Sequence, residues 1–191
     1  MRPPRSSPLY HFTSPDRVGR IKREGLTEGA IVVPPPWAPP TYRPGDVLPP
    51  VAGQPAGTAA VAAYTGQWLT DDPDFRQEWA TRSSIPHDRT AWRVRVEVPR
   101  TGASPPSELL VAWPDFVGRK RLDQRWPLWL ADFEGRTLPE GEGGAYGRRP
   151  DPSRWWVYLG LIPPQWLRQW TRRPKQIGSG ARRTASGGEA A

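Results

Sequence analysis

Leu9-Tyr10-His11-Phe12-Thr13-Ser14-Pro15-Asp16, running on through Arg17 to Gly25-Leu26, is the stretch whose reading decides the fold. Leu9 to Thr13 alternates and is β-prone, which predicts a short strand with His11 on the opposite face from Tyr10 and Phe12. Ser14 is a good helix N-cap, Pro15 suits the first helical position, and Asp16 suits the positive end of the helix dipole. Val18 and Ile21 then share one helix face. Gly25 fits the left-handed C′ position, with Leu26 as its hydrophobic partner. The expectation is strand, sharp turn, helix, stop, with a histidine near the end of the strand.

Outward from this unit, Ala30-Ile31-Val32-Val33 reads as a short strand. Residues 34–56 form a proline-dense loop, which can be neither helix nor central strand because proline lacks the donor and fixes φ. It reads equally as a substrate-recognition lid or as a stiff connector. Thr58 to Tyr64 is small and apolar, suiting a helical turn or a buried strand. Trp68-Leu69-Thr70 reads as a strand leading to Asp71-Asp72-Pro73, where Asp72 can cap a short helix carrying Phe75 and Trp79. In Ala91 to Val98, Trp92, Val94, Val96 and Val98 point one way, and Arg93, Arg95 and Glu97 point to a solvated face. Leu109 to Trp113 is expected as a strand ended by Pro114, Asp115 to Arg125 as a basic helix, and 135–153 as loop. Arg154 to Leu161 is expected as the last strand.

The bulk numbers fit one domain of short strands and long loops. The chain has 191 residues, enough for a real core, and 19 Gly with 26 Pro indicate abundant loop. Eleven Trp argue against wholesale disorder. The division is a 1–8 extension, a 9–170 body and a 171–191 basic tail expected to be disordered. Arg2 and Arg5 contribute +2 and the tail +4, so the body carries only +2 of the net +8. High basicity therefore does not by itself imply a nucleic-acid-binding face, although the tail suits weak, salt-sensitive contact with nucleic acid.

With no Cys, disulfides and thiolate metal sites are excluded, and His11 and His87 lie too far apart in sequence to suggest a zinc motif. No apolar run is long enough for a membrane helix and no apolar leader is evident, so a cytoplasmic protein without membrane contact is the default expectation. Gly141-Glu142-Gly143-Gly144 follows no βαβ strand, and no nucleophile-elbow serine is present.

The Tyr10-His11-Phe12-Thr13-Ser14-Pro15 opening, its short helix and the closing Glu24-Gly25-Leu26 resemble the start of ADP-ribosyltransferase-like domains. Gln67-Trp68-Leu69-Thr70-Asp71-Asp72-Pro73 is similar to that superfamily's second element, a strand before an acidic-proline turn. Trp155 to Tyr158, with Ile162-Pro163-Pro164-Gln165-Trp166, looks like its closing strand and exit. The resemblance implies an α+β domain, with a split or curved, mainly antiparallel sheet and short flanking helices. It implies NAD as substrate and ADP-ribose transfer to a macromolecular acceptor, protein or nucleic acid, with release of nicotinamide. His11 would hold the nicotinamide-side ribose, with Tyr10, Thr13 and Ser14 beside it. Tyr64, Trp68 and Thr70 would wall the nicotinamide, although such aromatic residues also read as core.

The superfamily's late-strand glutamate has no counterpart in Trp155-Trp156-Val157-Tyr158-Leu159-Gly160. Glu134 is the best substitute acid, with Glu140 and Glu142 as loop alternatives. The same fold without catalysis, serving as a nucleic-acid or protein binding module through the basic tail and the Arg119–Arg125 patch, is the rival expectation.

Overall fold

A six-stranded, wholly antiparallel sheet forms the centre of the molecule. A computed structural model of the chain describes residues 8–43, 62–75, 90–99, 106–137 and 151–173. The sheet strands are β1 (Leu9–Thr13), β4 (Gln67–Thr70), β5 (Trp92–Val96), β6 (Leu110–Ala112), β7 (Trp155–Tyr158) and β8 (Leu167–Arg172), in spatial order β6-β7-β4-β1-β5-β8. A separate hairpin-like pair is made by β2 (Ala30–Val33) and β3 (Ala62–Thr65). Helices are α1 (Pro15–Glu24), α2 (Trp113–Lys120), α3 (Leu122–Arg125) and α4 (Pro127–Phe133). The domain is α+β, as the sequence predicts.

Each face of the sheet carries its own core. Leu9, Val94, Val96, Leu69, Trp156 and Leu167 point to one face, where Ile21 of α1, Leu26 and Ile162 cover them. Val111, Trp155 and Val157 point to the other, under Phe116, Val117, Leu122, Trp129 and Leu130 of α2–α4. This second core is mostly aromatic: Trp113 stacks on Phe116 at 5.6 Å, Trp129 on Phe133 at 5.0 Å, and Trp68 tilts onto Trp113 at 4.9 Å.

The opening strand-helix unit forms with the predicted bounds, but its ends are held by other means. Ser14 makes no side-chain cap; Pro15 at the first position and Asp16 in the first turn set the helix start. Gly25 has φ 82° and ψ −165°, outside the left-handed helical well. What demands glycine is proximity as well as φ: a Cβ there would collide with the Ile162 carbonyl. Leu26 then bridges to Ile162, with Leu26 N–H donating to the Ile162 carbonyl at 2.8 Å.

Several expected elements take a different form. Ala62–Thr65 is a strand, one of the two forms open for 58–64. Trp113 starts α2 instead of ending a strand, because Pro114 has no N–H to continue a ladder yet suits a helix's first turn. The expected helix from Asp115 to Arg125 is broken at Arg121, which sits in the left-handed region at φ 51°. Trp126 then separates α3 from α4. β7 ends at Tyr158, short of Leu161, and β8 is a further strand reaching Arg172, past the expected end of the body at 170. Residues 73–74 turn, with Asp74 N–H donating to the Asp72 carboxylate at 3.0 Å. His87, Trp79, Glu140, Glu142, residues 44–56 and the tail beyond Arg173 lie outside the described residues.

The start of the proline-dense loop is firmly packed. Pro34 and Pro35 are fully buried, Ala38 accepts a hydrogen bond from Trp126 Nε1 at 3.0 Å, and Arg43 grips both Asp132 oxygens at 3.0 and 3.1 Å. None of residues 34–43 lines the cleft described next.

Candidate active site

β1 and β4 are registered at Tyr10 opposite Thr70 and separate beyond that pair. The end of β1 and the start of β4, where Thr13 and Ser14 meet Gln67 and Trp68, therefore bound an opening in the sheet. A cleft of 510 Å³ occupies it, walled by the first turn of α1 and by Glu28 to Ala30, and closed by Phe75, Phe133 and Trp155. That volume lies in the range of small-molecule sites, about 300–1,000 Å³.

Six of the eight residues singled out from the sequence line this cleft together: Tyr10, His11, Thr13, Ser14, Trp68 and Thr70. His11 bridges the parted strands, its Nδ1–H donating to the Trp68 carbonyl at 3.0 Å. Since a carbonyl only accepts, this bond fixes the neutral tautomer with Nε2 as acceptor. Burial holds the imidazole pKa below its ordinary value; the Trp68 carbonyl opposes that shift and the Arg17 cation adds to it. Thr13 and Ser14 are buried hydroxyl residues beside it, while the Thr70 hydroxyl accepts from Asp72 N–H at 3.1 Å. Trp68 belongs to both regions: it lines the cleft and packs on Trp113, Phe133 and Trp155.

Tyr64 and Glu134 are placed elsewhere. Tyr64, on β3, packs edge-on against Phe116 at 5.7 Å under the Lys120 ammonium, 4.3 Å from its ring centre, and does not line the cleft. The sequence suggested it because it precedes Trp68 closely, yet the turn at Gly66 sends β3 into a different sheet. Glu134 is the C-terminal cap of α4, where Gly135 and Arg136 N–H groups bond to Asp132 and Ala131 carbonyls in a Schellman arrangement. Its carboxylate accepts from Trp113 Nε1 at 2.7 Å through one oxygen and from Arg136 Nε at 2.7 Å through the other. One oxygen thus serves the aromatic core and the other a surface ion pair; only the neighbouring Phe133 reaches the cleft.

The structure adds cleft residues that the sequence did not single out: Asp16, Arg17, Glu28, Gln67, Phe75, Phe133 and Trp155. The acids of the rim are Asp16 and Glu28, and Glu28 pairs with Arg20 at 2.7 Å. Phe75 packs on Phe12 at 5.6 Å. Gln67 carries a signal in the sequence itself: a long polar side chain at the head of an apolar strand needs a partner or a purpose.

Beside the cleft, two arginines lie on the aromatic residues of β1. Arg93 covers Tyr10 at 5.0 Å and donates to the Pro73 carbonyl at 2.8 Å. Arg173 covers Phe12 at 5.0 Å and donates to the Phe75 carbonyl at 2.6 Å. The expected solvated face of β5 is therefore partly structural. Among the described residues no helix is long and apolar enough to cross a membrane. Comparison with protein-family models, with curated proteins and with solved structures finds no match to this chain.

Proposed function

We propose that the cleft binds NAD and that the protein transfers ADP-ribose to a macromolecular acceptor with release of nicotinamide. The observation that carries this reading is His11, fixed by Trp68 in its acceptor tautomer on the floor of a dinucleotide-scale cleft between two parted strands. In that role Nε2 accepts a hydrogen bond from a ribose hydroxyl, and the Thr13 and Ser14 hydroxyls flank the same sugar. Arg17, the cation among the cleft residues, sits in the first turn of α1 where a diphosphate is favoured. The antiparallel α+β architecture that the resemblance implies is compatible with this reading.

The acid of the transfer step is not assigned to Glu134, whose oxygens are both committed. Of the two cleft carboxylates, Glu28 has both oxygens on Arg20, so Asp16 is the one from which an acceptor-activating group would be drawn. The test is incubation of the purified chain with NAD and measurement of free nicotinamide, beside His11→Ala. Release that collapses in the variant supports the reading; release unchanged by the variant sinks it.

The adjoining surface favours a second reading, a binding module for nucleic acid. Arg93 and Arg173 over Tyr10 and Phe12, with Arg95 and Arg168 on the same sheet region, give a basic and aromatic surface. Retention of oligonucleotide binding, salt-dependent and insensitive to His11→Ala, without any NAD binding would select this alternative.

A further inference from the structure

Gln67 is only 2% exposed, yet its amide Nε2 has no hydrogen-bond partner among the described residues. Nothing in the strand explains its presence: its neighbour Leu69 is core, and its cross-strand partner is Tyr158 of β7. A buried amide left unpaired destabilises the fold, so such groups are rare in native proteins. Gln67 lines the cleft at the opening where β1 and β4 part, on the same side as His11. Its oxygen is packed against Gly29, where any Cβ would collide with that amide. The side chain is therefore wedged in place, with its donor end unused.

We infer that Gln67 is a specificity-determining residue that donates to the carboxamide oxygen of nicotinamide, an inference that rests on the NAD reading above. The charge of the site selects this acceptor. The Gln67 amide is neutral and buried, an unfavourable partner for a phosphate oxygen, which Arg17 in the first turn of α1 suits better. A neutral carbonyl is the matched partner for a neutral buried donor, and the only carbonyl in NAD is that of the carboxamide. Gln67 and His11 thus present a donor and an acceptor on one floor, one for the base and one for its ribose.

The experiment compares wild type with Gln67→Met, a replacement of similar length that lacks the donor, by calorimetric titration with NAD and with ADP-ribose. ADP-ribose keeps the diphosphate and both sugars and lacks the carboxamide. Loss of one hydrogen bond is expected to weaken NAD about ten-fold and leave ADP-ribose roughly unchanged. Without ligand, the variant is expected to melt at or above the wild-type temperature, because an unpaired donor has been removed. Equal weakening of both ligands, no weakening of NAD, or a lower melting temperature in a folded variant would overturn this inference and leave the NAD reading standing. A wild-type chain that does not bind NAD overturns both. Should circular dichroism show Gln67→Met unfolded, Gln67→Glu, which keeps the length and sets a carboxyl against the carbonyl, takes the same comparison.

Discussion

The aromatic core beneath α2–α4 and the cleft between β1 and β4 treat their polar groups in opposite ways. In the core, the Trp113 indole is matched to Glu134 and the Trp126 indole to the Ala38 carbonyl. In the cleft, Gln67 Nε2 has no partner among the described residues, Ser14 forms no helix cap, and His11 spends one nitrogen on the Trp68 carbonyl and keeps the other as an acceptor. Matched groups raise stability, whereas unmatched buried groups lower it. Trp68 is the shared wall, so the core fixes the carbonyl that orients His11.

The comparison breaks most visibly at Trp113. Its side chain is fully buried, tilts on Trp68 at 4.9 Å and stacks on Phe116 at 5.6 Å. Trp113→Ala is expected to cost about 3–5 kcal/mol in denaturant unfolding, through the cavity and the orphaned Glu134 oxygen. A loss below about 1 kcal/mol would mean the aromatic cluster is not the stabilising region. Gly25→Ala follows, at about 1–3 kcal/mol, because the new Cβ meets the Ile162 carbonyl at a positive φ. Melting curves that overlay wild type would show the α1 exit to be unconstrained.

How much of this was legible depends on the distance over which each interaction acts. The β1–α1 unit was readable because alternation, Pro15 and Gly25 are local signals, and its bounds appear as expected. The α2–α4 zigzag was not: Arg121 adopts the left-handed region without being glycine, a consequence of packing that no propensity reveals. The cleft followed from two neighbouring motifs, so Tyr10 to Ser14 and Trp68 with Thr70 were accessible to motif reading. Tyr64 and Glu134 lie outside the cleft, since a turn at Gly66 and a helix cap at Gly135 direct them into other contacts. Gln67 opens the second of those motifs, whereas Phe133 reaches the cleft only through tertiary structure.

Glu134→Gln sharpens the contrast with His11. The amide keeps an acceptor for Trp113 Nε1 and weakens the ion pair to Arg136, so unfolding is expected to shift by about 1 kcal/mol while the folded fraction keeps its NAD affinity. A variant that folds normally yet loses nicotinamide release would restore Glu134 to the chemistry.

The smallest effect expected is a pH dependence, and its sign follows from burial. His11 titrates below its ordinary 6.5 in the folded chain, chiefly because burial disfavours the cation, with Arg17 adding to that and the Trp68 carbonyl opposing it. Between that lowered value and 6.5 the unfolded chain binds more protons than the folded one, so stability rises with pH through this window. It is fully present above 6.5 and is lost as pH falls through the folded value. Melting temperature followed from pH 7.5 downward should therefore fall more steeply in wild type than in His11→Asn, which cannot titrate there. Ligand affinity should fall only at lower pH, through the folded chain's own lowered value, because the acceptor lone pair on Nε2 disappears on protonation. Parallel slopes in the two proteins would mean that the imidazole is not held neutral by its surroundings, and the case for a fixed acceptor in the cleft would go with it.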